Sequence, residues 1–208
     1  FCPDFFIANA SSSLFFPMKL KATCTLCVTA DSDCLLVAML RPRNGQAQWI
    51  ISDRYDLEPW VPVTEFVDSY GNLCQRLTVP QGKMRIAVEV TMKVPAQIEV
   101  ATCAPRMLVT DMPADVLHYL RQSRYCPSDK MQAKALQVVG NALPGYPQVA
   151  KICSWIHENL QYRYGVSSST TDALDTLQQG AGVCRDFAHV GIALCRSAAE
   201  EFRAGEIP

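Results

Sequence analysis

Histidine is scarce in this chain, with three among 208 residues, at His118, His157 and His189. That scarcity limits metal chemistry. The one Cys-x-x-Cys, Cys24-Thr25-Leu26-Cys27, has no second pair and no neighbouring histidine to complete a zinc site. Its spacing in a strand pattern puts the two thiols on opposite faces. No metal and no cofactor are expected. Charge of one sign is missing as well: 19 Lys and Arg against 20 Asp and Glu leave a net charge of −1 and no basic patch. Nothing steers nucleic acid or an anionic membrane towards such a surface. The longest apolar runs, such as Cys34-Leu35-Leu36-Val37-Ala38-Met39-Leu40, fall far short of the roughly 20 residues a bilayer span requires. Residues 1–17 contain no Lys or Arg, so the basic region of a signal peptide is absent, and they read as a disordered or non-native extension before Met18. The ten cysteines are scattered along a chain long enough to fold without staples, which suits reduced thiols in a cytoplasmic protein. No nucleic-acid partner and no membrane are expected.

What is present divides in two. At 49% hydrophobic, the chain can bury one good core or two modest ones. From Met18 the residues alternate, with Met18, Leu20, Ala22, Cys24, Leu26 and Val28 on one face and Lys19, Lys21, Thr23 and Thr25 on the other, the pattern of a half-buried strand. Residues 84–94 repeat it, with Met84, Ile86, Val88, Val90, Met92 and Val94 inward. Between them, Thr64–Val67 and Leu73–Val79 flank Asp68-Ser69-Tyr70-Gly71-Asn72, whose Gly and Asn supply the positive φ of a tight hairpin connection. Residues 18–107 therefore read as an antiparallel β domain of sandwich type.

After Pro105 the period changes to about 3.6. Pro113 suits the first position of a helix carrying Val116, Leu117 and Leu120, and Ser128 can cap another carrying Met131, Leu136 and Val139. Gly145 and Pro147 precede a third helix whose stripe is Val149, Ile152, Ile156 and Leu160. The polar run Ser167–Thr171 offers an N-cap to a short helix ending at Gly180. Beyond it, Phe187, Val190, Gly191, Leu194 and Ala198 follow the spacing of a buried helix, with Cys184 at its first turn.

A thiol at a helix N-terminus faces unsatisfied amide donors and the positive end of the macrodipole, which favour the thiolate and can hydrogen-bond an oxyanion. Position alone leaves two readings open: Cys184 as nucleophile, or a small buried cysteine at a helix start. Cys195, mid-helix beside Leu194, reads as packing.

The stretch Trp155-Ile156-His157-Glu158-Asn159-Leu160-Gln161-Tyr162-Arg163-Tyr164-Gly165, followed by Ser169-Thr170, Ala173-Leu174 and Gly182-Val183-Cys184-Arg185-Asp186-Phe187-Ala188-His189, resembles the core of the bacterial transglutaminase-like (papain-like cysteine peptidase) superfamily. Leu40-Arg41-Pro42-Arg43, Gln48-Trp49 and Asp68–Leu77 are similar to the β domain that precedes this core. The resemblance implies an α+β chain: an N-terminal antiparallel β-sandwich-like domain over residues 18–107, then the helical half of a transglutaminase-like core over 108–208. It also implies a Cys-His-Asp triad with Cys184 as nucleophile, a peptide or protein substrate, and peptidase or amide acyl-transfer chemistry through a thioester. The family's His and Asp follow the cysteine helix on strands, yet no histidine occurs here after His189. Five residues along one helix, His189 is rotated by about 140° from Cys184. The core is thus expected to be incomplete after the nucleophile helix and the chain nearly inactive, as a fragment or as a degenerate copy. The alternative function is a non-catalytic peptide- or protein-binding module.

Overall fold

The computed structural model describes residues 18–45, 48–97 and 100–204; the extension expected over residues 1–17 lies outside them. The fold consists of two compact units, Phe1–Glu99 and Val100–Pro208.

Among the described residues the first unit has six antiparallel strands: β1 (Met18–Ala30), β2 (Cys34–Ala38), β3 (Trp49–Glu58), β4 (Val63–Val67), β5 (Leu73–Val79) and β6 (Gly82–Val94). They form two three-stranded sheets, ordered β1-β6-β3 and β2-β5-β4. The fold class expected from the sequence, α+β with an N-terminal antiparallel β-sandwich-like domain, is the one observed. Strand β6 is central because it alternates most strictly: Met84, Ile86, Val88, Val90 and Met92 are all buried, and each such side chain contributes about 1.5–3 kcal/mol by leaving water. Met84 and Ile86 meet Leu77 and Val79 of β5, with Val28, Leu36 and Val63 at the margin, so the two sheets share one core. The hairpin between β4 and β5 forms as expected. Asp68 Oδ1 accepts the amides of Tyr70 and Asn72 at 2.9 and 2.8 Å, and Gly71 takes φ +81°.

One expectation fails here. Strand β1 is exposed from Met18 to Cys27, and only Val28 and Ala30 approach the core. The reason is length: β1 has 13 residues at the edge of its sheet, while β2 and β4 opposite have 5 each and cannot cover it. Strand β3 escaped the pattern reading because Asp53, Arg54, Asp56 and Glu58 interrupt its apolar residues, and its register shifts between Ile50 and Ser52.

The second unit carries α1 (Gln132–Val139), α2 (Tyr146–Asn159), α3 (Ala173–Gln179) and α4 (Cys184–Ala204), with two short parallel strands, β7 (Gln161–Tyr162) and β8 (Ala181–Gly182). Its core joins Ala135, Val138, Val139, Ile152, Ile156, Val190, Ala193, Leu194 and Ala198. The helix expected after Pro113 is a 3-10 helix, Ala114–Leu120, with no fully buried residue; an element that buries so little gains little from the α form. Ser128 does not cap α1. It opens a separate 3-10 turn, it is buried, and Met131 occupies the N-cap with no side-chain bond. The cap of α3 is Asp172 rather than the run before it: its carboxylate accepts the amides of Leu174 and Asp175, and Asp175 returns a bond to the Asp172 amide, a full capping box.

Candidate active site

The site is assembled by one short crossover. Strand β7 pairs in parallel with β8, Gln161 opposite Ala181 and Tyr162 opposite Gly182, and α3 spans between them. Gly180 ends α3 at φ +65°, and β8 then runs directly into α4 at Cys184.

Four residues fix that junction. The Val183 carbonyl accepts the Phe187 amide at 3.1 Å, so Val183 is the N-cap of α4. The Asp186 carboxylate reaches back to accept the Val183 amide at 2.9 Å, one half of a capping box. Asp186 is fully buried. Burial opposes its charge, but the Val183 amide, Ser167 and the Arg185 guanidinium outweigh it and hold the carboxyl below the usual range. Arg185 Nη2 also donates to the Ser168 carbonyl at 2.8 Å, tying the loop before α3 to the first turn of α4. Gly182 is required by close approach: a Cβ there would lie 2.7 Å from Asp186 Cβ.

On this frame Cys184 is the first residue of α4 and is exposed. The valine N-cap has no side-chain acceptor to occupy the first-turn amides, in contrast to Asp172 in α3. Cys195 is partly buried, lies on the wall of an apolar groove of about 740 Å³ between α2 and α4, and its thiol is pushed up to about 11 by burial and by Cys153. Ile156, Phe187, Ala188 and Ile192 line the same groove.

Tyr162 stands beside Cys184, which the sequence reading did not anticipate. Its ring meets Phe187 edge-on at 5.9 Å and Tyr164 edge-on at 5.4 Å. Its hydroxyl donates to Tyr164 Oη at 3.5 Å. No sequence signal could have found this, because the contact depends on pairing between β7 and β8.

The histidines do not gather at the thiol. His189 stacks on Tyr125 at 5.1 Å and 8°, with a buried Nδ1 that has no partner. His157 is exposed on α2 at the groove and His118 is exposed in the 3-10 helix. Among the described residues no cluster of His, Cys, Asp or Glu could hold a metal ion, and no helix is long and apolar enough to cross a membrane.

Comparisons with known proteins agree with this architecture. Residues 132–204 match the family model of the transglutaminase-like superfamily, and residues 30–95 match that of the bacterial transglutaminase-like N-terminal region. A solved structure from Cytophaga hutchinsonii, named a "putative cysteine protease", superposes with a TM-score of 0.80 at 30% identity over 88% of this chain. An uncharacterised protein of Mycobacterium leprae is 27% identical over 168 residues, 77% of this chain. The chain spans 64% of the first protein's length and 59% of the second's. With both of its units matched in the order in which they occur, the chain belongs to the transglutaminase-like superfamily, its core preceded by a bacterial transglutaminase-like N-terminal region.

Proposed function

We propose that the chain carries the nucleophile of a cysteine peptidase or amide acyltransferase, and that Cys184 forms a thioester with the acyl group of a peptide or protein substrate. One observation carries the reading: an exposed thiol on the first residue of a helix, the end where backbone amides have no intrahelical partners. The Cys184 sulfur attacks the substrate carbonyl carbon, the C–S bond forms, and the π pair moves onto oxygen. Collapse restores the carbonyl and expels the amine, and water or a second amine then takes the acyl group from sulfur.

Expulsion of an amine needs a proton. None of the three histidines stands by the thiol to give it: His189 is stacked on Tyr125, and His118 and His157 lie on other elements. Without general acid catalysis the rate on amides falls by about 10²–10⁴-fold. This chain alone is therefore expected to be nearly inactive on peptides yet able to acylate itself from an activated ester, whose leaving group departs as an anion.

The test uses p-nitrophenyl acetate. A burst of p-nitrophenolate should accompany a single acetyl group on the Cys184 peptide, read by mass spectrometry, and Cys184→Ala should abolish both. Acetylation spread evenly over the exposed cysteines, or no burst, would overturn the reading and leave a non-catalytic binding module.

A further inference from the structure

We propose that the open edge of β1 is a dimerisation surface, to which β1 of a second copy of this chain adds antiparallel about a two-fold axis through Cys24, joining the two β1-β6-β3 sheets into one. The proposal is independent of any chemistry at Cys184.

The edge is long and regular. Strand β1 ends its sheet, with β6 on one side and no strand on the other among the described residues. Its pairing with β6 runs from Met18 opposite Val94 to Ala30 opposite Gly82 without a shift in register. In an unbroken antiparallel ladder successive residues turn their N–H and C=O groups alternately to either side, so about half of the 13 residues present theirs to the open edge. No proline or bulge interrupts this edge, which is about 45 Å long. Side chains lack neighbours in the same direction. Leu20 and Leu26 remain 42% and 37% exposed, although Met92 and Ile86 opposite them on β6 are buried.

The occupant follows from the strand's complementarity to itself. A two-fold axis through Cys24 sets Met18 against Ala30 of the second copy, Leu20 against Val28, Ala22 against Leu26 and Cys24 against Cys24, so apolar side chains meet along one face. This register pairs the whole strand. It also brings outward-turned backbone groups to outward-turned groups, because the residues it opposes are an even number of positions apart. On the other face Lys19 meets Thr29 and Lys21 meets Cys27, while Lys21 keeps its ion pair with Glu89 of β6 at 2.9 Å. Lysines on an edge strand discourage strand addition, and here both lie in one half of the strand. A parallel in-register partner would set each lysine beside its own copy, and an antiparallel partner centred on Leu20 would set Lys19 against Lys21. The axis at Cys24 keeps the lysines of the two copies at opposite ends, so charge selects the arrangement that the apolar row also favours.

The axis can be tested at Cys24 itself. Directly opposed residues of an antiparallel pair have Cα atoms about 4.5–5.5 Å apart, a span that a disulfide bridges. Sedimentation velocity of the reduced 208-residue chain should show a dimer at about 100 µM. Cys24→Lys, which sets two ammonium groups against each other on the axis, should raise the dissociation constant by at least about tenfold, with circular dichroism unchanged because the position is exposed. Brief treatment with diamide, which takes two electrons and two protons from a pair of thiols and leaves the S–S bond, should give a covalent dimer linked Cys24 to Cys24 on peptide mapping. Cys24→Ser should abolish that dimer and Cys27→Ser should not. A monomer at the same concentration would overturn the proposal and leave the edge to a different partner or to none. A dimer indifferent to Cys24→Lys, or a covalent dimer that survives Cys24→Ser, would assign dimerisation to another surface and overturn it equally. If the lysine variant fails to fold, the two serine variants decide the matter alone.

Discussion

A single methyl group added at Gly182 should weaken the second unit, while the same group added at Gly191 should not. At Gly182 the new Cβ would stand 2.7 Å from Asp186 Cβ, 3.1 Å from Asp186 Oδ2 and 3.2 Å from Thr176 Cγ2. Carbon atoms pack comfortably at about 3.5–4.0 Å, so Asp186 must retreat. It is fully buried and holds the Val183 amide at 2.9 Å. Overfilling costs about 1–3 kcal/mol, and stranding a buried amide also costs about 1–3 kcal/mol. One displacement causes both, so they do not simply add, and Gly182→Ala should cost about 2–4 kcal/mol. At Gly191 the nearest atom to a new Cβ is Ile156 Cδ1 at 3.4 Å, the free end of a flexible side chain. Alanine replaces glycine in the interior of α4, worth up to about 1 kcal/mol in helix propensity, so Gly191→Ala should be neutral or stabilising. Urea unfolding followed by far-ultraviolet circular dichroism near neutral pH reads both, because the described α-helices all belong to the second unit. The midpoint should shift without a change in slope. A Gly182→Ala variant within about 0.5 kcal/mol of wild type, or one more stable than Gly191→Ala, would refute the account of the junction.

Acid should act on the same unit in two stages. Burial first, then the Arg185 charge, hold His189 below its ordinary 6.5, so the unfolded chain takes up this proton before the native one. That contribution is complete above pH 6.5 and is lost as pH falls below it towards the native value, a decline that His189→Gln should flatten in thermal melts recorded across pH. Asp186 has its carboxyl below the ordinary 3.8, so its contribution persists above that value and disappears as pH falls through the native one; Asp186→Asn should remove this second decline. In thiol mapping with iodoacetamide near neutral pH, exposed Cys184 should label at least about tenfold faster than Cys195, whose thiol is pushed up to about 11, and faster than buried Cys74. Comparable rates for Cys184 and Cys195 would contradict the exposure of the first turn. In the β unit, Arg41 joins Asp53 of β3 to Glu65 of β4 across the two sheets, half-shielded from water. Arg41→Lys loses the forked geometry and should cost about 1 kcal/mol in chemical unfolding, with a smaller loss at high salt.

Those parts of the fold that rest on a single face of a single element were legible in the sequence. Strand β6 alternates over its whole length, and α4 repeats its apolar residues at helical spacing, so each announces its buried side before any partner is known. Elements whose environment is set by neighbours were not. Strand β1 alternates as β6 does, yet nothing in its residues shows that the opposite sheet is too short to cover it. The 3-10 helix after Pro113 has the apolar residues of an α-helix but buries none of them fully. At the site, the position of Cys184 followed from the glycines before it and the apolar spacing after it. The function of Asp186 as a reverse cap, the reason Gly182 must be glycine, and the nearness of Tyr162 all depend on contacts across β7 and β8, and sequence spacing carries no trace of them.

The β7–α3–β8 crossover has a consequence for the order in which the chain folds. The groups described around Cys184 are drawn from one contiguous stretch beginning at Gln161, and α3 with its complete capping box already brings the ends of that stretch together. Closing so short a loop costs little chain entropy. Strand β1, by contrast, must find β6 with Met18 opposite Val94 and Ala30 opposite Gly82, across nearly the whole of the first unit. Contacts of high sequence separation form slowly. In refolding experiments the amides of Gln161 and Arg163 should therefore gain protection from hydrogen exchange before those of β1, and Cys184 should be in place while the first unit is still completing its sheets.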